Sequence, residues 1–420
     1  GKESETAINP QRNVAQMEMP PFDFNFNTQS EIESSTVQSV SSSQKSEQAS
    51  FDNTQSIKDL KGIWLSYIDI QALILNKTED EFKNEFNEAC KLIRSIGLNT
   101  LIIQVRPFSD AIYKSKIYPW SHILTGKQGQ DPGYDPLNII IKIAKENNLA
   151  VHAWINPYRI KTSDIELAEN NPAKAYLLKE ETKNKVKDFN GGLYYNMADE
   201  VIINLITNGV AELCENYDIS GIHFDDYFYP TTDNNFDKTD YENYKNNNGQ
   251  LKLEDWRRDN VTKLIKSVYD KIKAINKNIS FGISPSGDYE KAQNSMYADL
   301  NKWLSQDGYV DYICPQIYYG FNNQSLPFEQ TKNMWVDKTK AESVKLIVGL
   351  PFYKSGGEDL WAGSGKNEFK ENSNIITKMI ESIKKNDKIS GYILYDYNHI
   401  KNLNTISSKE FEGLKQLNKK

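Results

Sequence analysis

Eight times between about residue 60 and residue 400, a short apolar run is followed by an amphipathic stretch of helical period. The runs are GIWLSYI (62–68), NTLIIQVRP (99–107), AVHAWINPY (150–158), SGIHFDDYFYP (220–230), ISFGISPSG (279–287), VDYICPQIYYG (310–320), KLIVGLPFY (345–353) and SGYILYDYN (390–398). Strand–helix alternation repeated this often predicts an α/β chain of the (β/α)8 TIM-barrel type. A doubly wound sheet has no need of eight units. It would also carry a Gly-rich phosphate loop after the first strand, and none is present there. The helices can be read at their ends. Thr78 and Glu81 make a capping box, Phe82, Phe86, Ala89, Cys90 and Ile93 follow on one stripe, and Gly97 stops the helix. Asp135 at the N-cap and Pro136 at N1 start the next. Apolar stripes recur at 203, 206, 210, 213, 214 and 217, and at 261, 264, 265, 268, 272 and 275.

Composition narrows the class. Of 420 residues, 38% are hydrophobic and 25% charged, enough apolar side chain for a large core. The formal net charge of -7 gives no basic footprint for nucleic acid. No run of about 18 apolar residues is present to span a membrane. The three cysteines are far apart: Cys90 and Cys214 lie on helix stripes and Cys314 in a strand, so all three read as core. Residues 1–55 differ in kind. They are rich in Ser, Gln, Glu and Thr, as in SSTVQSVSSSQKSEQAS, and lack either periodicity. They read as a disordered polar tether to a barrel over 56–420, which suits export and a membrane anchor upstream of residue 1.

Strand parity assigns the interior. The helix-facing side of a barrel strand must be apolar, because a buried unpaired polar group costs about 1–3 kcal/mol. Ile63, Leu65, Ile103, Val105, Val151, Ala153, Ile155, Ile222, Phe224, Phe281, Ile283, Ile313 and Ile317 therefore face out. Facing in are Trp64, Ser66, Gln104, Arg106, His152, Trp154, Asn156, His223, Asp225, Ser284, Ser286, Gln316 and Tyr318. Six strands thus send polar or aromatic groups to one place near their C-terminal ends, where barrels build their sites. Two insertions, about 159–196 and 231–253, fall on the same face.

The contents of this pocket point to carbohydrate. Aromatic faces stack on sugar rings, amides bond hydroxyl and acetamido groups, and Asp225 supplies a carboxylic acid. Tyr227, Asp110, His152 and His223 join the substrate-binding set. No metal set is evident, with four His in the chain and no inward carboxylate beside His152 and His223 other than Asp225. No nucleophile elbow is present and no cofactor is implied. Asp225 and Asp226, as strand neighbours, should point to opposite faces, which leaves Asp225 as general acid and Asp226 bonding a loop or helix start. Most glycosidases use two carboxyls, about 5–5.5 Å apart for retention and about 6.5–9.5 Å for inversion. The second would come from Asp69, Asp110, Asp288 or Asp396, with Asp396, directly after the eighth strand, preferred. Alternatively the substrate's own acetamido or 6-hydroxyl group attacks, the latter yielding a 1,6-anhydro sugar.

In order along the chain, GIWLSY, LNTLIIQVRP-x-x-D-A-x-Y-x-S, YPWSHILTG, DPGYDPL, VHAWINPYRI, GIHFDDYFYP, WRRDNV, FGISPSG and DYICPQIYYGF resemble the glycosyl hydrolase-like 10 family of bacterial extracellular proteins. The resemblance covers about 60–400. It implies a TIM-barrel glycosidase, exported or lipid-anchored, cleaving peptidoglycan glycan strands by hydrolysis or lytic transglycosylation. It points to Asp225, with Asp226 beside it, and matches Arg106, Asp110, Trp154, Asn156 and Gln316 to other strand-end motif positions. A monomer is expected. One departure is Asn196-Met197-Ala198, where the family tends to Asn-Pro, in a loop expected away from the catalytic face.

Overall fold

The computed structural model describes residues 57–419, so the tether expected over 1–55 lies outside the described residues. In chain order the strands are β1 (Leu60–Leu65), β2 (Thr100–Arg106), β3 (Ala150–Ile155), β4 (Arg159–Lys161), β5 (Val186–Phe189), β6 (Gly192–Tyr195), β7 (Gly221–Phe224), β8 (Ser280–Ile283), β9 (Tyr312–Ile313), β10 (Lys345–Leu350) and β11 (Ile389–Leu394). Eight of them close a parallel barrel in the order β1-β11-β10-β9-β8-β7-β3-β2. Long helices, among them Glu79–Ser95, Pro136–Glu146, Glu200–Asn216, Leu253–Ile275 and Ile375–Lys384, connect the strands. No helix among the described residues is long and apolar enough to cross a membrane.

Two concentric layers explain why these runs are strands. Ile63, Leu65, Ile103, Ala153, Ile222, Phe224 and Ile283 pack outward under the helices in one core. Trp64, Ile102, Trp154, Tyr312, Tyr318, Ile347 and Ile393 fill the lumen in a second. A strand buried on both faces has no polar side, which is why its period of two shows only in which apolar or aromatic residue faces which way. The helix ends also follow local chemistry. Thr78 Oγ1 accepts from Glu81 N–H at 3.1 Å, and Gly97 takes a φ of 81° at the C-terminus. Asp135 caps the helix that Pro136 begins.

The structure departs from the sequence reading in four places. The sixth strand is only Tyr312–Ile313, because Pro315 has no N–H for the ladder; Gln316 then bridges singly to Ser286 and Gly349. A helix, Tyr67–Ile74, follows β1 at once. The insertion after β3 is a three-stranded antiparallel ribbon, β4-β6-β5. Its hairpin turns on Asn190 and Gly191 at φ of 53° and 80°, the left-handed pair that a two-residue turn requires. The insertion after β7 carries the helix Lys238–Asn246. The two insertions are docked together: Asp240 is bonded by Lys187 at 2.5 Å and by Asn184 and Asn196 at 2.9 and 3.0 Å. Arg257 anchors the second through Asp237, at 2.6 Å.

One polar layer crosses the lumen. Trp64 Nε1–H donates to His223 Nε2 at 3.1 Å, which places the His223 proton on Nδ1. That proton goes to the Tyr312 hydroxyl at 2.8 Å, and the hydroxyl donates in turn to His152 Nδ1 at 3.0 Å. The rings need space, and glycine provides it: a Cβ on Gly221 would lie 2.7 Å from the His152 ring, and one on Gly282 would lie 2.0 Å from the Tyr312 ring. Burial pushes His152 down to about 4 and lowers His223 as well, so both imidazoles are neutral. Replacing Tyr312 by Phe leaves two buried ring nitrogens unpaired, at about 1–3 kcal/mol each. Urea unfolding of Tyr312→Phe should show that loss; an unchanged midpoint would mean that the layer is not structural.

Candidate active site

Asp225 follows the last residue of β7, Phe224, and is fully buried. Its carboxylate is surrounded by donors. Oδ2 accepts from the Trp154 indole N–H at 2.9 Å and from the Asn156 amide, and Oδ1 accepts from the Tyr227 backbone N–H at 3.1 Å. The amide orientation is forced from behind. The Tyr67 backbone N–H can only donate, so it fixes Gln104 Oε1 at 2.8 Å. Gln104 Nε2 then faces Asn156 Oδ1 at 2.6 Å, which turns the Asn156 amino group onto Asp225. β1, β2 and β3 thereby aim at a carboxyl on β7.

Burial pushes the Asp225 carboxyl up from 3.8 to about 6. The Arg159 guanidinium opposes this most, followed by the bonds from Trp154, Tyr227 and Asn156. Arg159 lies between the Phe108 and Tyr227 rings, 4.7 and 5.2 Å from their centroids, with Nε on the Pro107 carbonyl. The sequence reading missed this residue. Its signals were its place just past the third-strand run, at the start of an insertion where parity gives no direction, and its inclusion in the motif VHAWINPYRI.

Arg106, read as the inward cation, does not join the group around Asp225. The β2–β3 register slips between Gln104 and Arg106, so that Arg106 stands opposite outward-facing Ile155. Its guanidinium bonds the Phe108 and Pro157 carbonyls and covers the Tyr118 ring, tying down the loops after β2 and β3. His152 and His223 belong to the polar layer below. Asp110 is buried on Gln128 Nε2 at 3.1 Å and His122 Nδ1 at 3.4 Å, away from the donors of Asp225.

Trp64, Tyr318, Tyr395 and Tyr353 form the aromatic wall, with centroid separations of 5.6–6.5 Å. Gln316 is held by its Nε2 on the Ser284 carbonyl at 3.1 Å, while its Oε1 has no partner among the described residues. Asp226 is also buried, but alternation does not apply to it, because β7 ends at Phe224. After burial itself, the Asp226 charge contributes most to raising the Tyr227 phenol, and after burial and Cys314 it also raises Tyr318.

The remaining carboxyls have local duties. Asp396 caps the helix Tyr397–Lys401 and holds His399 Nδ1 at 2.5 Å. Asp69 accepts from Ser66 N–H at 3.0 Å; burial and then the Asp396 charge hold its carboxyl well above the usual range. Asp288 caps the helix Tyr289–Asn294. Asn196 follows the last residue of β6, Tyr195, and bonds Asp240, so the Asn196-Met197-Ala198 segment belongs to the insertions of the strand-end face, not to the far side as the sequence suggested. Among the described residues no group of three His, Cys, Asp or Glu could hold a metal ion.

A closed (β/α)8 barrel with a buried acid and an aromatic wall at its strand ends is the architecture of many glycosidases. Solved structures agree on the fold. The glycoside hydrolase domain of PgaB (BpsB) from Bordetella bronchiseptica superposes with a TM-score of 0.53 at 10% identity, over 85% of this chain and 99% of that one. The catalytic domain of a β-amylase from Paenibacillus polymyxa gives 0.53 at 10% identity, over 86% and 97%. The profile of the Glycosyl hydrolase-like 10 family matches residues 59–362, and the chain belongs to that family. It is 34% identical over 331 residues to Glycosyl hydrolase YngK of Bacillus subtilis, covering 72% of this chain and 62% of that protein's length. It is 32% identical over 334 residues to Glycosyl hydrolase DigH of Escherichia coli, covering 72% and 75%.

The electrostatics around Asp225 can be checked directly. An infrared difference titration, with Asp225→Asn as the blank, should place a carboxyl midpoint near 6. Arg159→Gln removes the strongest influence favouring the ionised form and should move the midpoint upward. A midpoint near 4 in the wild type would refute the burial argument.

Proposed function

We propose that the chain cleaves peptidoglycan glycan strands, with Asp225 as the general acid. The observation that carries this reading is a fully buried carboxyl at a barrel strand end whose proton is retained up to about pH 6 despite three hydrogen-bond donors. A general acid needs a pKa near the working pH and a place against the leaving oxygen; the raised carboxyl supports the first and the strand-end position of Asp225 supports the second. The aromatic wall and the unsatisfied Gln316 oxygen suit the apolar faces and acetamido N–H groups of amino sugars. The substrate class rests on the motif resemblance, and an exported chain acting as a monomer at the cell wall goes with it.

Asp226 and Asp396, both acting on Tyr318, are the carboxyls assigned the second role, Asp396 in addition to its helix cap and its bond to His399. If neither serves, the muramyl 6-hydroxyl is the remaining nucleophile. Mass spectrometry of soluble products from purified sacculi, intact and stripped of stem peptides, separates the routes. Reducing-end sugars mean hydrolysis, and 1,6-anhydro ends mean lytic transglycosylation. No release from either substrate would overturn the proposal.

Asp225→Asn should lower kcat by about 10²–10⁴ while binding to the glycan persists. In the wild type the reactive form is the protonated one. kcat/KM should therefore fall as pH rises through about 6, and the fall should disappear in Asp225→Asn.

A further inference from the structure

Among the described residues, five of the seven exposed large apolar side chains lie in loops after barrel strands, the others being Val201 and Leu403. Leu177 and Leu178 lie in the insertion after β3, Leu251 in that after β7, and Leu360 and Trp361 after β10. The last pair is the least expected. The Ala362 N–H bonds the Asp359 carbonyl at 3.1 Å, so Leu360 and Trp361 are the two corner residues of a β-turn. Turn corners favour Gly, Pro, Asn, Asp and Ser. Here they are an apolar pair, 61% and 52% exposed, while the flanking Asp359 and Ala362 are 4% and 1% exposed.

Nor is this a loose tip. Asp359 accepts from Lys354 Nζ at 3.3 Å, and the same ammonium donates to the Tyr318 carbonyl at 2.5 Å, in the aromatic wall of the site. Asp359 N–H bonds the Lys366 carbonyl at 2.8 Å, and Gln324 N–H bonds the Ala362 carbonyl at 2.9 Å. Gly365 approaches so closely that a Cβ would lie 2.5 Å from the Asn322 carbonyl. Glu368 clamps Phe321 and Asn322 N–H at 2.9 and 3.0 Å. The loops after β9 and β10 thus form one braced unit, and it holds an indole in water on the side where substrate arrives.

We propose that Trp361, with Leu360 beside it, is a stacking surface for a sugar ring of a polymeric glycan beyond the rings held at Asp225. The inference deepens the glycosidase reading: it makes the site selective for long strands over short oligosaccharides. The two side chains are apolar, and the exposed charges bordering the turn, Glu358 with Lys366 and Lys370, are ion-paired at 3.8 and 3.4 Å, so the pair matches the C–H face of a pyranose. Continuity with the site comes through Lys354, which bonds the turn to the Tyr318 backbone.

Trp361→Ala and Trp361→Phe should be compared with the wild type by depletion from insoluble stem-peptide-free glycan, and by kinetics on that polymer and on an N-acetylglucosamine disaccharide. Losing roughly half the exposed indole area from the contact corresponds to about tenfold weaker polymer binding. The Ala variant should raise KM on the polymer about tenfold with kcat unchanged, leave the disaccharide unaffected, and keep its melting temperature. The Phe variant should recover most of the affinity. Equal polymer binding by Trp361→Ala, or an equal loss on the disaccharide, overturns the stacking role. A fall in the wild type's solution mass on Trp361→Ala also overturns it, since the pair would then join copies of the chain. Absence of turnover in the wild type, with polymer binding still lost in Trp361→Ala, would defeat the glycosidase reading and leave the stacking surface standing.

Discussion

The Tyr312 hydroxyl is the contact on which the interior of this barrel depends. It accepts from one imidazole and donates to another, and the first imidazole takes its remaining bond from Trp64. Side chains from β1, β3, β7 and β9 are joined in one layer with no formal charge. That neutrality matters. A protonated histidine here would lower the carboxyl above it, whereas burial lowers both imidazoles and favours their neutral forms. The layer also sets the Trp154 ring, which packs edge-on against His223 at 6.4 Å and reaches Asp225 with its indole N–H. The Asp225 carboxyl is thereby supported from a floor of imidazoles that burial keeps neutral.

The barrel was legible because parity is a strict rule wherever both faces are buried. Outward Ile222 and Phe224 and inward Trp64, Trp154 and Tyr318 lie where alternation puts them. Alternation breaks down where a ladder slips or a strand ends. Arg106 stands past a register shift, and Asp226 past the end of β7. Arg159 starts an insertion whose course is set by contacts with Phe108 and Tyr227, distant in sequence, and no periodicity reports such contacts. The ribbon after β3 had a readable local signal in Asn190-Gly191, but its short, half-exposed strands have none of the apolar density that marks the barrel strands.

The aspartates at the strand ends divide by what surrounds them. Asp288 and Asp396 cap short helices, and Asp69 bonds the backbone at the start of one. These duties follow from helix starts at the C-terminal ends of strands, where first-turn N–H groups need an acceptor. Asp225 caps nothing. Two of its three donors are side chains from another strand, and a chain of amides running back to Tyr67 orients one of them. Maintaining a helix does not require such an arrangement, and orienting a single carboxyl does.

Three donors and a guanidinium favour the ionised carboxylate, and burial favours the acid. The outcome near 6 is a balance, not the result of either alone. A site with burial only would hold its proton far above neutrality and release it too slowly to turn over. A site with the donors and the guanidinium only would hold the carboxyl below its ordinary range, ionised and unable to give up a proton. Arg159 is the largest of the opposing influences, and it is set on β4, in the insertion after β3, rather than on a barrel strand. The insertion after β3 therefore takes part in setting the Asp225 carboxyl, and the bonds to Asp240 dock that insertion onto the one after β7.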